Sequence, residues 1–119
     1  MIMKKDYSFQ NDNKIIIKDS FKTHQVTIEN ITHITCDGYV CACFLKGENK
    51  PLITCKLLKF YEIELTELGF IRANRNTLVN LKHIKCIEIH DSRILTLLNG
   101  QKIQISCRKI AKIKKILGG

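Results

Sequence analysis

No run of about 18 apolar residues occurs in this chain, and no charged segment leads into a short apolar stretch of the secretory kind. The sequence therefore predicts neither a transmembrane span nor a secretion signal, and a cytoplasmic location is expected. Proline occurs once, at Pro51, and there is no Ser-rich linker, low-complexity block or long internal repeat. One compact unit is the simplest organisation. The sequence also lacks the glycine-rich phosphate loops, the Gly-x-Ser-x-Gly elbow and the His-Glu-x-x-His zinc motif. Neither an enzyme nor a bound cofactor is expected. His24, His33, His83 and His90 fall in different segments, which favours structural roles over ligation or acid–base work. Sustained heptads are missing too, so nothing predicts a built-in coiled-coil dimer.

The most telling shortage is of acids. Residues 70–119 hold eleven Lys or Arg against only Glu88 and Asp91, whereas residues 1–69 hold nine Lys and nine acids. The second half thus carries the whole formal charge of +9. A one-signed face raises the local concentration of a polyanion and releases its counterions on docking. The competing reading is a solvated surface that keeps the protein soluble.

With 119 residues the chain is about one domain, large enough to bury roughly two thirds of the surface its unfolded form exposes. The six cysteines sit in apolar runs, where a small hydrophobe serves equally well, so buried free thiols are expected. Cys41-Ala42-Cys43 has no second Cys or His pair at zinc-like spacing, and no metal is predicted.

Residues 1–13 read as a loosely ordered leader, 14–117 as the folded unit and 118–119 as a short tail. Segments rich in Ile, Val and Thr predict strands at 15–18, 24–29, 31–36, 39–46 and 52–55, with Asp37-Gly38 as a turn. Pro51 fits a strand start, where a missing N–H costs least. Between Lys56 and Leu68 the period changes: Leu57, Leu58, Tyr61, Leu65 and Leu68 recur at helical spacing, and Gly69 follows as a C-cap. Further strands are expected at 70–73, 84–90, 93–98 and 101–106, with Asn99-Gly100 read as a type I′ hairpin turn. Arg108–Leu117 closes the chain as a short cationic helix. The fold class is mostly β, in antiparallel hairpins, with one short central helix and a short C-terminal one.

Between the strands at 70–73 and beyond lies the polar loop Asn74-Arg75-Asn76. Its chemistry suits nucleic-acid readout, because Arg can bond both O6 and N7 of guanine and an Asn amide can pair with adenine N6 and N7. Lys109, Lys112 and Lys115 would neutralise phosphates without reading sequence. An ordinary loop arginine is the plainer reading of Arg75. Arg72 shares a strand face with Phe70, which points to internal packing and an internal ion pair.

The pattern Phe70-x-Arg72-x-Asn74-Arg75-Asn76-x-Leu78-Val79-Asn80-Leu81, followed by Ile84, Ile87, Asn99-Gly100 and Ile103-x-Ile105-Ser106-x-Arg108, resembles the LytTR DNA-binding domain of bacterial transcription regulators. Upstream, Ile31-x-x-Ile34-x-x-Asp37-Gly38-Tyr39 belongs to the same pattern, and the likeness spans about residues 14–117. It implies an elongated, mostly antiparallel β fold whose loops enter successive major grooves on one side of bent double-stranded DNA. Carried over by position, it implies base contacts from Tyr39, Asn74, Arg75 and Arg108. Asn76, Lys109, Lys112 and Lys115 are expected at the DNA backbone. Family members often have His where Asn74 stands, which leaves the base preference open.

Such domains are usually attached to a receiver or sensing domain. A stand-alone regulator served by a separate sensor or receiver protein and an output domain of a larger regulator both fit. A monomer that pairs on repeated half-sites is the expected assembly, with no membrane partner. Two rival functions also fit the basic composition. One is a small basic RNA-binding or ribosome-associated β protein, disfavoured by having few aromatics outside core-like positions. The other is an adaptor for an acidic protein.

Overall fold

The computed structural model describes residues 13–19 and 21–118. All but Asn13 of the expected leader lies outside the described residues. Among the described residues, ten strands form three antiparallel sheets. A hairpin pairs β1 (Lys14–Lys18) with β2 (Thr23–Thr27). The central sheet has the order β5-β4-β3-β7-β6, built from β3 (Ile31–Asp37), β4 (Val40–Leu45), β5 (Leu52–Thr54), β6 (Phe70–Asn74) and β7 (Thr77–Asn80). The third sheet, in the order β10-β9-β8, comprises β8 (Ile84–Glu88), β9 (Ile94–Leu97) and β10 (Lys102–Gln104). Two α-helices among the described residues complete the fold, α1 (Leu58–Leu65) and α2 (Ile110–Ile116). The molecule is elongated, measuring 54 × 29 × 24 Å. Among the described residues no helix is long and apolar enough to cross a membrane.

Strand alternation divides the interior in two. Phe70 and Leu78 face one core with Ile17, Ile31, Ile34 and the buried face of α1, namely Leu58, Tyr61 and Leu65. Their neighbours Ile71, Ala73 and Val79 point the opposite way, toward Leu95, Leu97, Ile103, Ile105 and Ile113. Successive side chains on a strand take opposite faces, so β6 and β7 serve both cores at once. Each fully buried aliphatic side chain contributes about 1.5–3 kcal/mol relative to exposure. The β6–β7 hairpin is consequently fixed from both sides.

Several expectations need revision. Thr77–Asn80 carried no strand prediction, yet it is the buried strand between β3 and β6. A strand covered on both faces loses the alternation that would reveal it. The expected helix over 56–68 is an α-helix only over Leu58–Leu65, continued by a 3-10 turn, Thr66–Leu68, before Gly69 at φ 100°. The strands of the first half divide between two sheets, since β1 and β2 pair only with each other while β3, β4 and β5 belong to the central sheet. The turn after Leu97 is not type I′: only Gly100 has positive φ, and Leu98, Asn99 and Gly100 lie between the projected pair Leu97/Gln101. A type I turn followed by a left-handed glycine satisfies a three-residue loop.

The cysteine prediction is corrected as well. Cys36 and Cys41 are directly opposite in the β3–β4 ladder and form a disulfide, while Cys55, Cys86 and Cys107 are exposed. Only Cys43 is a buried free thiol, and burial pushes it up to about 12. An apolar run tells which residues belong to strands. It does not tell which face of an edge strand each one takes.

His33 is buried in the central sheet. It is 5% exposed, stacks on its cross-strand neighbour Phe44 at 4.4 Å and lies 2.9 Å from the Thr32 hydroxyl through Nδ1. Burial disfavours the cation and lowers its pKa to about 4 from 6.5. The unfolded chain therefore binds more protons between those values, so stability rises with pH there and is lost as pH falls from 6.5 toward 4. The upper limit of that loss is about 3 kcal/mol. Urea titrations at neutral pH and at mildly acidic pH are predicted to show this loss in the wild type, and His33→Phe is predicted to remove most of it. Equal pH sensitivity of the two proteins would contradict the assignment.

Candidate nucleic-acid interface

Three turns meet at one end of the central sheet. The first joins β3 to β4 through Gly38 and Tyr39, since Asp37 pairs with Val40. Gly38 has φ 67° and Tyr39 has no positive φ, the pattern of a type II′ turn. Its side chain projects from the tip, 80% exposed. The second turn is Arg75-Asn76, between β6 and β7. Antiparallel pairing of Thr35 with Thr77 brings that turn beside Cys36, whose N–H donates to the Asn76 carbonyl at 2.8 Å. The third is the 3-10 turn Cys107–Lys109, which leads into α2. It is held to β6 by the Ser106 N–H, which donates to the Ala73 carbonyl at 2.9 Å.

Side chains fix the middle turn further. Asn74 accepts the Asn76 N–H on Oδ1 at 2.8 Å and donates from Nδ2 to the Gln104 carbonyl at 2.6 Å. The first of these bonds closes an Asx turn. Asn74, expected at base edges, thus has both ends of its amide engaged by backbone partners. Arg72 behaves as its strand face implied. Its Nη1 donates to Glu62 on α1 at 2.7 Å, its Nε to the Asn74 carbonyl at 3.3 Å and its Nη2 to the Arg75 carbonyl at 2.5 Å. A guanidinium bonded to a carboxylate and two carbonyls is a strong clasp on a short loop.

Around these turns lies an open concavity of about 710 Å³. Arg72, Arg75, Arg93, Arg108 and Lys109 line it, and among the described residues no Asp or Glu does. Glu62 offsets the charge of Arg72 from outside the lining. Among the described residues, the other four take part in none of the ion pairs. Unpaired cations gathered on one concave wall concentrate positive potential there.

The structure brings together five of the residues singled out from sequence: Asn74, Arg75, Asn76, Arg108 and Lys109 all line this concavity. Tyr39 stands at the adjoining tip, outside the lining, and Lys112 and Lys115 are exposed on α2 beyond Lys109. Arg93 and Gln104 also line the site and were not anticipated. The available signal was indirect: Arg93 immediately precedes β9, whose Ile94 pairs with Gln104. Among the described residues, no three His, Cys, Asp or Glu side chains cluster as a metal site.

Comparison with known proteins agrees with this architecture. The LytTr DNA-binding domain family model matches residues 21–118. Among solved structures, a LytTr DNA-binding domain from Bacillus cereus, described as part of a methyl-accepting/DNA response regulator, superposes with a TM-score of 0.75. Identity is 22%, with 91% of this chain and 99% of that chain covered. That likeness speaks to the fold. A search of curated proteins returns no match. Since the family model spans most of the folded residues, the chain belongs to the LytTR family of DNA-binding domains.

Proposed function

We propose that this domain binds double-stranded DNA sequence-specifically in the cytoplasm and regulates bacterial transcription, with its loop tips entering successive major grooves. The observation that carries this reading is the concavity that, among the described residues, is lined by five cationic and no acidic side chains beside three adjoining turns. Arg75 and Arg108 supply guanidinium forks for base edges, and Tyr39 reaches outward from the neighbouring tip. Asn74 shapes the loop and retains one free Nδ2 hydrogen for a base. Asn76, Lys109, Lys112 and Lys115 contact phosphates and set register. The 54 Å long axis exceeds the helical repeat of about 34 Å, so a duplex lying along that axis would be followed past a full turn.

Single-stranded RNA recognition usually requires exposed rings on a sheet. Here Phe21, Tyr39 and Phe60 are exposed, more rings than the sequence leads one to expect, but they lie on a bend, a turn and α1, whereas on the sheets Phe70 is buried and Phe44 stacks on His33, which weighs against that function. Operation on repeated half-sites, as a monomer that pairs on DNA, follows from the family reading, as does control by a separate sensor or receiver domain.

Selection from a random duplex library tests the proposal. A consensus with spaced repeats supports it, and failure to enrich any sequence, or stronger capture by structured RNA in competition, overturns it. Lys112→Ala is predicted to weaken all duplexes alike and to reduce the slope of log affinity against log salt by about one. A loss confined to the selected sequence would instead make Lys112 a base contact.

A further inference from the structure

Arg93 immediately precedes β9 and belongs to none of the three turns. Its side chain nevertheless lines the same concavity as Arg75 and Arg108. The Nε–H donates to the Ile105 carbonyl at 3.2 Å, and the Ile105 N–H donates back to the Arg93 carbonyl at 2.8 Å. That carbonyl also accepts from Nε2 of Gln104 at 3.0 Å, while the Gln104 carbonyl accepts from Nδ2 of Asn74 at 2.6 Å. Through Gln104, the position of Arg93 is registered to the loop that carries Arg75.

This bracing consumes one donor and leaves the end of the guanidinium open. Nη1 and Nη2 still offer four N–H groups, and among the described residues no carboxylate pairs with them. An end-on pair of N–H donors matches O6 and N7 of guanine in the major groove. A phosphate contact makes little demand on orientation. A base contact does, and a side chain already held at Nε loses less rotamer freedom on docking. Arg75 and Arg108 have no such brace: among the described residues, no side-chain hydrogen bond is made by either guanidinium.

We propose that Arg93 is a further specificity-determining residue, reading one guanine edge through Nη1 and Nη2 while Ile105 and Gln104 hold its orientation. The inference rests on the DNA-binding function proposed above. It adds a reader at the entry to β9 that lies outside the three turns.

The test compares wild type with Arg93→Lys and Arg93→Ala on a selected duplex, a random duplex, and selected duplexes carrying 7-deazaguanine at each guanine in turn. Arg93 is exposed, so both variants are expected to keep the wild-type thermal midpoint. Arg93→Lys should lose roughly 5- to 150-fold on the selected duplex with an unchanged salt slope and little loss on random DNA. At one guanine, the deaza substitution should weaken wild type and leave Arg93→Ala unaffected. Retained discrimination in Arg93→Lys, or equal losses by wild type and Arg93→Ala at every deaza position, would overturn the assignment. If wild type itself failed to discriminate between duplexes, the broader function would fall first, an outcome separable from these.

Discussion

Replacing Arg75 with alanine is expected to lower affinity for the selected duplex by roughly 5- to 150-fold while changing affinity for random DNA much less. The tip that presents Arg75 is prepared in the free protein: Asn74 closes it as an Asx turn, and Arg72 clasps its carbonyls from the side of α1. Because Arg72 bears the structural load, Arg75 is left exposed and outside every ion pair among the described residues. Removing its side chain should leave the loop intact and subtract the contact alone. Arg108→Ala should behave in the same way from the third turn. The two side chains share no hydrogen-bond partner among the described residues, so their losses should multiply in the double variant. Fluorescence titrations with both duplexes at fixed salt measure this. An equal loss on both would reduce either arginine to a phosphate contact.

Ile113→Ala should produce the largest change in stability, about 2–5 kcal/mol. Helix α2 has seven residues, too few to persist alone in water, and Ile113 is its one fully buried side chain. That residue packs in the core formed with Leu95, Leu97, Ile103 and Ile105, and Ile110 leans on the same cluster. Truncation opens a cavity and loosens the element that follows Arg108 and carries Lys112 and Lys115. Loss of stability and a shallower salt dependence of DNA binding should therefore appear together. A urea titration and a salt series read the two effects. An unchanged unfolding midpoint would mean that α2 is not docked as described.

Much of this arrangement is legible from sequence because its signals are local. The period change after Lys56 located the helix, Gly69 adopts the left-handed cap, and the strand face shared by Phe70 and Arg72 anticipated the ion pair with Glu62. Asn74 and Arg75 stand out by the chemistry of their loop and Arg108 by a family pattern, and the structure gathers them around one concavity. What escaped was non-local. The buried strand Thr77–Asn80 has no alternation to detect, and its place beside β3 depends on pairing across more than forty residues. Nothing around Arg93 in the chain reveals its brace, since the partners are Gln104 and Ile105 on the returning strand. The commitment of Asn74 to Gln104 was hidden for the same reason, as both depend on how β6 meets the third sheet. Cys36 and Cys41 became partners through the register of a two-residue turn, whereas hydrophobic runs had suggested separate buried thiols.

The most direct measurement of the central claim is interference mapping on a selected duplex, with guanine N7 and adenine N3 methylated in separate pools. Tips that occupy successive major grooves predict N7 interference in two clusters about ten base pairs apart, on one face of the helix, with little effect at N3. Arg75→Ala and Arg108→Ala should each erase interference at different guanines. Uniform interference along the duplex, or interference at adenine N3 alone, would contradict the account.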